Sequence, residues 1–206
     1  TTLRMAQQWR VRLGKKPVAL WNDIIEILAP EPAQNGIYTV SEGVPLLTRR
    51  AQQTDEPVGD DKFASDHPMP LGAFGMLPQS RLFTAEDMSR TYDWIQNYWN
   101  WQKTWGWDYP MVAMCAARLG RADDAVNAIL MPVAKNTYLN NGHNWQTNRL
   151  RCYLPGNGGL LTTVAMMCRS EAATSRIRDC HSHGMCDGKA SDLCHKKILP
   201  EINRQD

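Results

Sequence analysis

The chain has 206 residues, an ordinary hydrophobic fraction of 43% and a formal net charge of +2. Its Lys and Arg residues are scattered and form no basic block, which argues against nucleic acid as a partner. No apolar run is long enough to span a bilayer, so no membrane partner is expected. The first residues read as a polar-faced helix with no signal-peptide pattern. The chain begins at Thr1, which leaves the compartment open, since a removed export signal would look the same.

The apolar spacing is helical in most segments. Leu3 to Leu13 reads as a helix stopped by Gly14. Pro17 opens a second helix, with Val18, Leu20, Trp21, Ile24, Ile25 and Leu28 apolar at three-to-four spacing, and Pro30 and Pro32 end it. Ile37 to Glu42 is a candidate short strand, and Val44 to Ser65 reads as a polar loop. His67 and Pro68 lead into a small-residue apolar helix, Pro70 to Pro78. Thr84 and Asp87 resemble a capping box and predict an amphipathic helix to about Trp99. Pro110 suits the first turn of the helix Met111 to Leu119, which Gly120 stops. Asp123 and Asp124 favour the start of the next helix, to about Leu130. Gly159 to Cys168 is the last predicted helix.

Two helix types alternate. Gly72–Leu77, Met111–Leu119 and Gly159–Cys168 are apolar nearly all round, which predicts burial on all sides, whereas Val18–Leu28, Thr84–Trp99 and Ala122–Leu130 are amphipathic. A double ring of inner and outer helices produces this pattern. The predicted fold is therefore all-α, a partial (α/α)6 toroid, with residues 1–168 as a helical half-toroid. From Arg169 onward aromatic residues and apolar periodicity are absent, and residues 169–206 read as a poorly structured or non-native tail. Its Cys180, Cys186, Cys194 and nearby His residues invite a zinc reading, but five residues separate the first two cysteines, a poor fit to a zinc knuckle. No metal or other cofactor is expected. Cys115 and Cys168 sit in apolar helical runs and read as buried free thiols.

The chemistry concentrates between Trp94 and Thr163. Five tryptophans, Trp94, Trp99, Trp101, Trp105 and Trp107, precede Asp108 and Pro110, and an amide-rich loop runs from Asn136 to Gly159. Each indole must place its N–H as well as its ring, and rings, amides and a carboxylate together suit the faces and hydroxyls of sugars. Trp94 and Trp99 belong to a helix stripe and read as core; Trp101, Trp105 and Trp107 are the platform candidates.

Several long motifs resemble a known family: DHPMPLGAFGMLP (66–78), YWNWQKTWGWDYPMVAMCAARLGRADDAVNAIL (98–130), KNTYLNNGHNWQ (135–146) and YLPGNGGLLTTVAMM (153–167). They resemble bacterial (α/α)6-barrel glycoside hydrolases, close to α-L-fucosidase-like and maltose- or kojibiose-phosphorylase-like proteins, over about residues 3–168. The resemblance implies hydrolysis of glycosidic bonds in oligo- or polysaccharides with inversion, and a periplasmic or secreted bacterial setting. Such enzymes are several times longer and carry an upstream β-sandwich and the first half of the ring. A truncation followed by a frameshift or an appended tail would explain the difference.

Inversion needs a general acid and a base. Asp108, before an apolar helix whose free N–H groups would stabilise its anion, is the candidate base; a plain helix cap is the alternative. Glu42, Glu56 and Glu86 lie in polar or surface contexts and none stands out as the general acid; the resemblance implies an acid from earlier in the ring, outside this chain. His143, with Asn141, Asn144, Trp145 and Gln146 around it, is the candidate hydroxyl reader, or else loop scaffolding. His67, Tyr109, Tyr153 and Asn157 complete the candidate saccharide contacts. Gly156, Gly158 and Gly159 read as a tight turn in preference to a phosphate site. The alternative to an enzyme is a non-catalytic carbohydrate-binding fragment, or one that self-associates into a homo-oligomer through exposed inner-helix faces.

Overall fold

The computed structural model describes residues 2–40, 64–78 and 80–169. The tail cysteines Cys180, Cys186 and Cys194, all but the last two residues of the predicted loop Val44 to Ser65, and Glu42 and Glu56 lie outside the described residues. The protein is mainly α-helical. Its helices are α1 (Thr2–Arg12), α2 (Ala19–Ile27), α3 (Met69–Gly75), α4 (Ala85–Tyr98), α5 (Asp108–Arg118), α6 (Ala122–Ile129) and α7 (Leu154–Arg169). Two short antiparallel hairpins interrupt them, β1 (Ala33–Gln34) with β2 (Ile37–Tyr38), and β3 (Thr137–Tyr138) with β4 (Asn144–Trp145). A 3-10 turn, Ala134–Asn136, leads into the second.

The helix ends follow the local chemistry read above. Gly14 and Gly120 adopt positive φ just past α1 and α5, where a side chain would be strained. Thr84 caps α4 by accepting the Asp87 backbone N–H. Of the predicted strand Ile37–Glu42, Ile37 and Tyr38 are extended and pair backward, Thr39 and Val40 are not strand, and the last two residues lie outside the described residues. Asn35 and Gly36 take positive φ between Gln34 and Ile37, the two-residue hairpin turn that Asn-Gly favours.

α5 is the centre of the packing. It contacts α3, α6 and α7, and every residue from Asp108 to Ala116 is buried. Small residues permit the approach: a Cβ at Gly75 would stand 2.7 Å from the Cys115 backbone nitrogen. Arg118 closes the far end by donating to the Phe74 carbonyl in the last turn of α3 and to the Leu77 carbonyl just past it. From α4, Met88, Tyr92, Trp94 and Ile95 enter the same core, joined by Trp99. The core reading of Trp94 and Trp99 is borne out.

Two burial expectations are corrected. α7 begins at Leu154, five residues earlier than predicted, with Pro155 in its first turn, so Gly156, Gly158 and Gly159 are helical and no separate turn precedes the helix. It is also not buried all round: Thr163 faces α5, while Leu154 and Leu161 are 64% and 74% exposed. The reason is one-sided packing, since among the described residues α7 packs chiefly against α5 and less against α6 and the second hairpin. For the same reason Cys168, near the end of α7, is exposed, whereas Cys115 is buried as expected and its thiol is pushed up to about 12 by burial.

α1 and α2 pair chiefly with each other. Gln7 ties them through both ends of its amide, donating to Val18 O and Asn22 Oδ1 and accepting the Val18 N–H. Arg81, ahead of α4, reaches back to Glu26 at 3.0 Å and to the Ile25 carbonyl.

Candidate functional site

The site forms where the approach to α3, the turn before α5 and the start of α7 meet. Asp108 opens α5 with a fully buried side chain, 0% exposed. Its carboxyl turns back and accepts the Trp105 N–H at 2.8 Å. This replaces the expected interaction with the free amides of α5 itself. His67, just before α3, places Nδ1 3.0 and 3.1 Å from the two Asp108 oxygens. Burial dominates the electrostatics. It pushes the Asp108 carboxyl up to about 6, against the opposing pull of the Trp105 amide and of His67, so the anion expected from sequence is disfavoured at mildly acidic pH.

His67 is 29% exposed at its side chain and lies between two carboxyls. Nδ1 faces Asp108, and Nε2 stands 3.5 Å from the exposed Asp66. The two acids flank opposite ring nitrogens and do not converge; among the described residues no three His, Cys, Asp or Glu side chains are placed to hold a metal. Trp107 packs edge-on against the imidazole, with centroids 5.1 Å apart, and directs its indole N–H at Nδ1 over 3.1 Å. Its N–H is thus engaged by His67, and the ring is half-buried.

Trp105 provides the open ring. It is 37% exposed, 6.2 Å from the His67 ring and 5.8 Å from the Tyr153 ring, with Lys135 Nζ 5.7 Å from its centroid. Trp105, Tyr153 and His67 therefore form one aromatic surface above the buried carboxyl. Burial, and then the Asp108 charge, raise the Tyr153 hydroxyl above its usual range.

Other predicted contacts are structural. Tyr109 is fully buried, where no ligand reaches it; its hydroxyl donates to the Trp101 carbonyl and accepts from Thr104. Trp101 is half-buried against the core, with its ring tilted against that of Tyr109 at 6.1 Å between centroids. Asn144 and Gln146 are buried under the turn before α5. Gln146 Oε1 accepts the Gly106 N–H at 2.7 Å. Asn144 donates its amide to the Lys135 and Thr137 carbonyls, which fixes its orientation. Asn144 Oδ1 then has no N–H or O–H partner and points between Gly106 and Gly156. A Cβ on either glycine would come within 2.0 or 2.3 Å of it, so their Cα hydrogens face the oxygen as weak donors.

Asn157 accepts the Asn144 N–H and donates to the Gly142 carbonyl, which holds the second hairpin onto α7. Asn141 accepts the His143 N–H in the hairpin loop. His143 and Trp145 are half-buried in that hairpin and share no hydrogen bond or ring contact with the His67–Asp108 pair. Sequence reasoning named His67 and Asp108 separately but not their pairing, and it missed Asp66 and Lys135. A cleft of about 550 Å³ between α1 and α2, bordered by Arg4, Gln8, Arg12 and Glu26, includes none of the predicted residues. It is an open surface groove, separate from Asp108.

No protein family, curated protein or solved structure matches the chain.

Proposed function

We propose that this chain is the saccharide-contacting helical portion of a glycoside-hydrolase-like protein of the (α/α)6-toroid type, acting on oligo- or polysaccharides. One observation carries the reading: an exposed indole, a phenol and an imidazole form a continuous surface directly above a buried carboxyl. Ring faces of that kind stack on the apolar faces of pyranoses, while the polar groups between them take hydroxyls. The long sequence motifs cited above run through these residues. Inversion in the parent enzyme would need a second carboxyl across the bond, roughly 6.5–9.5 Å from the first.

The burial of Asp108 favours saccharide binding without turnover by the isolated chain. Its side chain is fully buried and its oxygens face the Trp105 amide and His67, whereas a general base must face the attacking water. Titration with a panel of neutral oligosaccharides, beside hydrolysis assays on aryl glycosides, tests both parts. Binding without turnover supports the binding fragment. Turnover lost in Asp108→Asn supports a complete site. Neither binding nor turnover refutes the carbohydrate reading.

The partner proposal is self-association through α7. It is supported by Leu154 and Leu161 standing open on a helix that has no charged residue from Leu154 to Cys168. The occupant proposed is a second copy of the chain.

A further inference from the structure

His67 Nδ1 has one in-plane position, yet two groups address it. The Asp108 carboxyl stands 3.0 Å away and the Trp107 indole N–H 3.1 Å away. A protonated Nδ1 donates to Asp108 and leaves nothing for the indole to bond. A bare Nδ1 accepts, from the indole or from a protonated Asp108. In the neutral ring the choice at Nδ1 dictates the opposite choice at Nε2, the nitrogen on the Asp66 side.

We infer that Asp108 is a positioning residue whose protonation state selects the tautomer of His67, so that Nε2 accepts a ligand hydroxyl when Asp108 is ionised and donates when Asp108 is protonated. The inference deepens the carbohydrate reading and rests on it for the identity of the ligand, but not for the switch. With Asp108 ionised, its anion draws the ring proton to Nδ1, and the bare Nε2 faces outward. With Asp108 protonated, its O–H donates to Nδ1. The ring proton then sits on Nε2 and points at Asp66 or at a ligand oxygen. Trp107 is the second positioning residue, because its N–H stabilises the bare form of Nδ1 and so opposes the ionised carboxylate.

The pair is screened from bulk water on the Asp108 side and open on the His67 side. The charged and titratable groups around it come from every neighbouring element. Asp66 precedes α3, Tyr109 lies on α5, Lys135 stands over Trp105 beside the second hairpin, and Tyr153 precedes α7. Burial places the Asp108 transition near neutrality, up to about 6, where this selection is useful. Asp66 is exposed, and its carboxylate favours Nε2–H, so it works with Trp107 and against Asp108.

Long-range proton–nitrogen NMR of the full chain reads the tautomer directly, with His67→Gln identifying the resonances. Expected is an Nδ1–H pattern at alkaline pH, giving way to Nε2–H once the pair takes up a proton on the Asp108 side at acid pH. Asp108→Asn presents an amide donor to Nδ1 and should show Nε2–H even at alkaline pH, whereas Trp107→Phe should retain Nδ1–H there. An Nε2–H ring in the alkaline wild type overturns the inference, and that measurement needs no variant to fold. So does an Asp108→Asn protein that keeps Nδ1–H. Maltose and a fucosylated lactose, added at alkaline pH, should shift His67 Nε2 and bind Asp108→Asn about tenfold more weakly. If neither sugar binds while the tautomer still follows Asp108, the carbohydrate reading falls and the switch stands.

Discussion

The Asp108 carboxyl and His67 Nδ1 meet at 3.0 Å across 41 residues of sequence, and only the imidazole of the pair reaches the surface. This arrangement makes a stability prediction whose sign follows from the raised carboxyl. Unfolded, Asp108 ionises near its ordinary value of about 4; folded, it holds its proton up to about 6. The folded state therefore binds more protons between these limits. The stabilisation from this group is fully present below about pH 4 and is lost as the pH rises through about 6. Its size is on the order of 3 kcal/mol. Asp108→Asn keeps an acceptor for the Trp105 N–H and removes the titration. Its melting temperature should vary less between pH 4 and 7 than that of the wild type. Equal pH slopes in thermal melts of the two proteins would contradict the assignment.

Trp105 carries the second prediction. Its ring is the open member of the surface that includes Tyr153 and His67, and it contributes little to the core. Trp105→Ala should leave the fold intact and weaken saccharide binding about fivefold, the loss of one stacking contact of roughly 1 kcal/mol. Trp101→Ala should do the reverse, lowering the melting temperature because Trp101 packs on the core and on Tyr109. Isothermal titration and thermal melts of both variants separate the roles. Equal affinity in Trp105→Ala and wild type would remove Trp105 from the site.

Much of the helical frame was legible because its signals are local. Thr84 with Asp87, Pro110 in a first turn, and Gly14 and Gly120 after helix ends each depend on a few neighbouring residues. The Asn35-Gly36 hairpin was equally local, and the Asn-Gly signal for it stood in the sequence unused. Burial was less legible. The apolar composition of α7 predicted enclosure, but enclosure depends on what else packs there, and Leu161 is open. The site was read as a set of residue types, which cannot distinguish Trp105 on the surface from Tyr109 beneath it. Nor does any spacing rule connect His67 to Asp108 or Lys135 to Trp105, since three-dimensional packing alone brings them together.

The glycines of the site give a matched test of close packing. A side chain at Gly156 would meet the Asn144 Oδ1 at 2.3 Å, and Asn144 cannot yield without breaking its bonds to the Lys135 and Thr137 carbonyls. Gly156→Ala should cost about 2–4 kcal/mol by overpacking and loss of those bonds. Gly158, two residues on in the same helix, has nothing within 4 Å of the place a methyl group would occupy. Gly158→Ala should stabilise by about 0.5–1 kcal/mol through helix propensity. Urea denaturation of the two variants checks the contrast. A Gly156→Ala protein as stable as Gly158→Ala would show that Asn144 is not locked in place.

α7 supplies the last prediction. Leu161, 74% exposed, and Leu154, 64% exposed, stand seven residues apart on a helix without charge from Leu154 to Cys168. Burying one leucine contributes about 1.5–3 kcal/mol, and a two-fold contact buries each residue twice. Leu161→Gln should therefore weaken self-association by tenfold or more while leaving the folded state of each copy unchanged, because Leu161 contributes little to the core. Leu20→Gln on α2 is the control: Leu20 is 63% exposed, on the α1–α2 pair, and its replacement should leave association unaltered. Sedimentation velocity over a range of protein concentrations distinguishes these cases. A wild-type chain that stays monomeric at high concentration removes the second copy as the occupant of this face. Equal weakening by both variants would instead make the apolar surface of α2 part of the same contact.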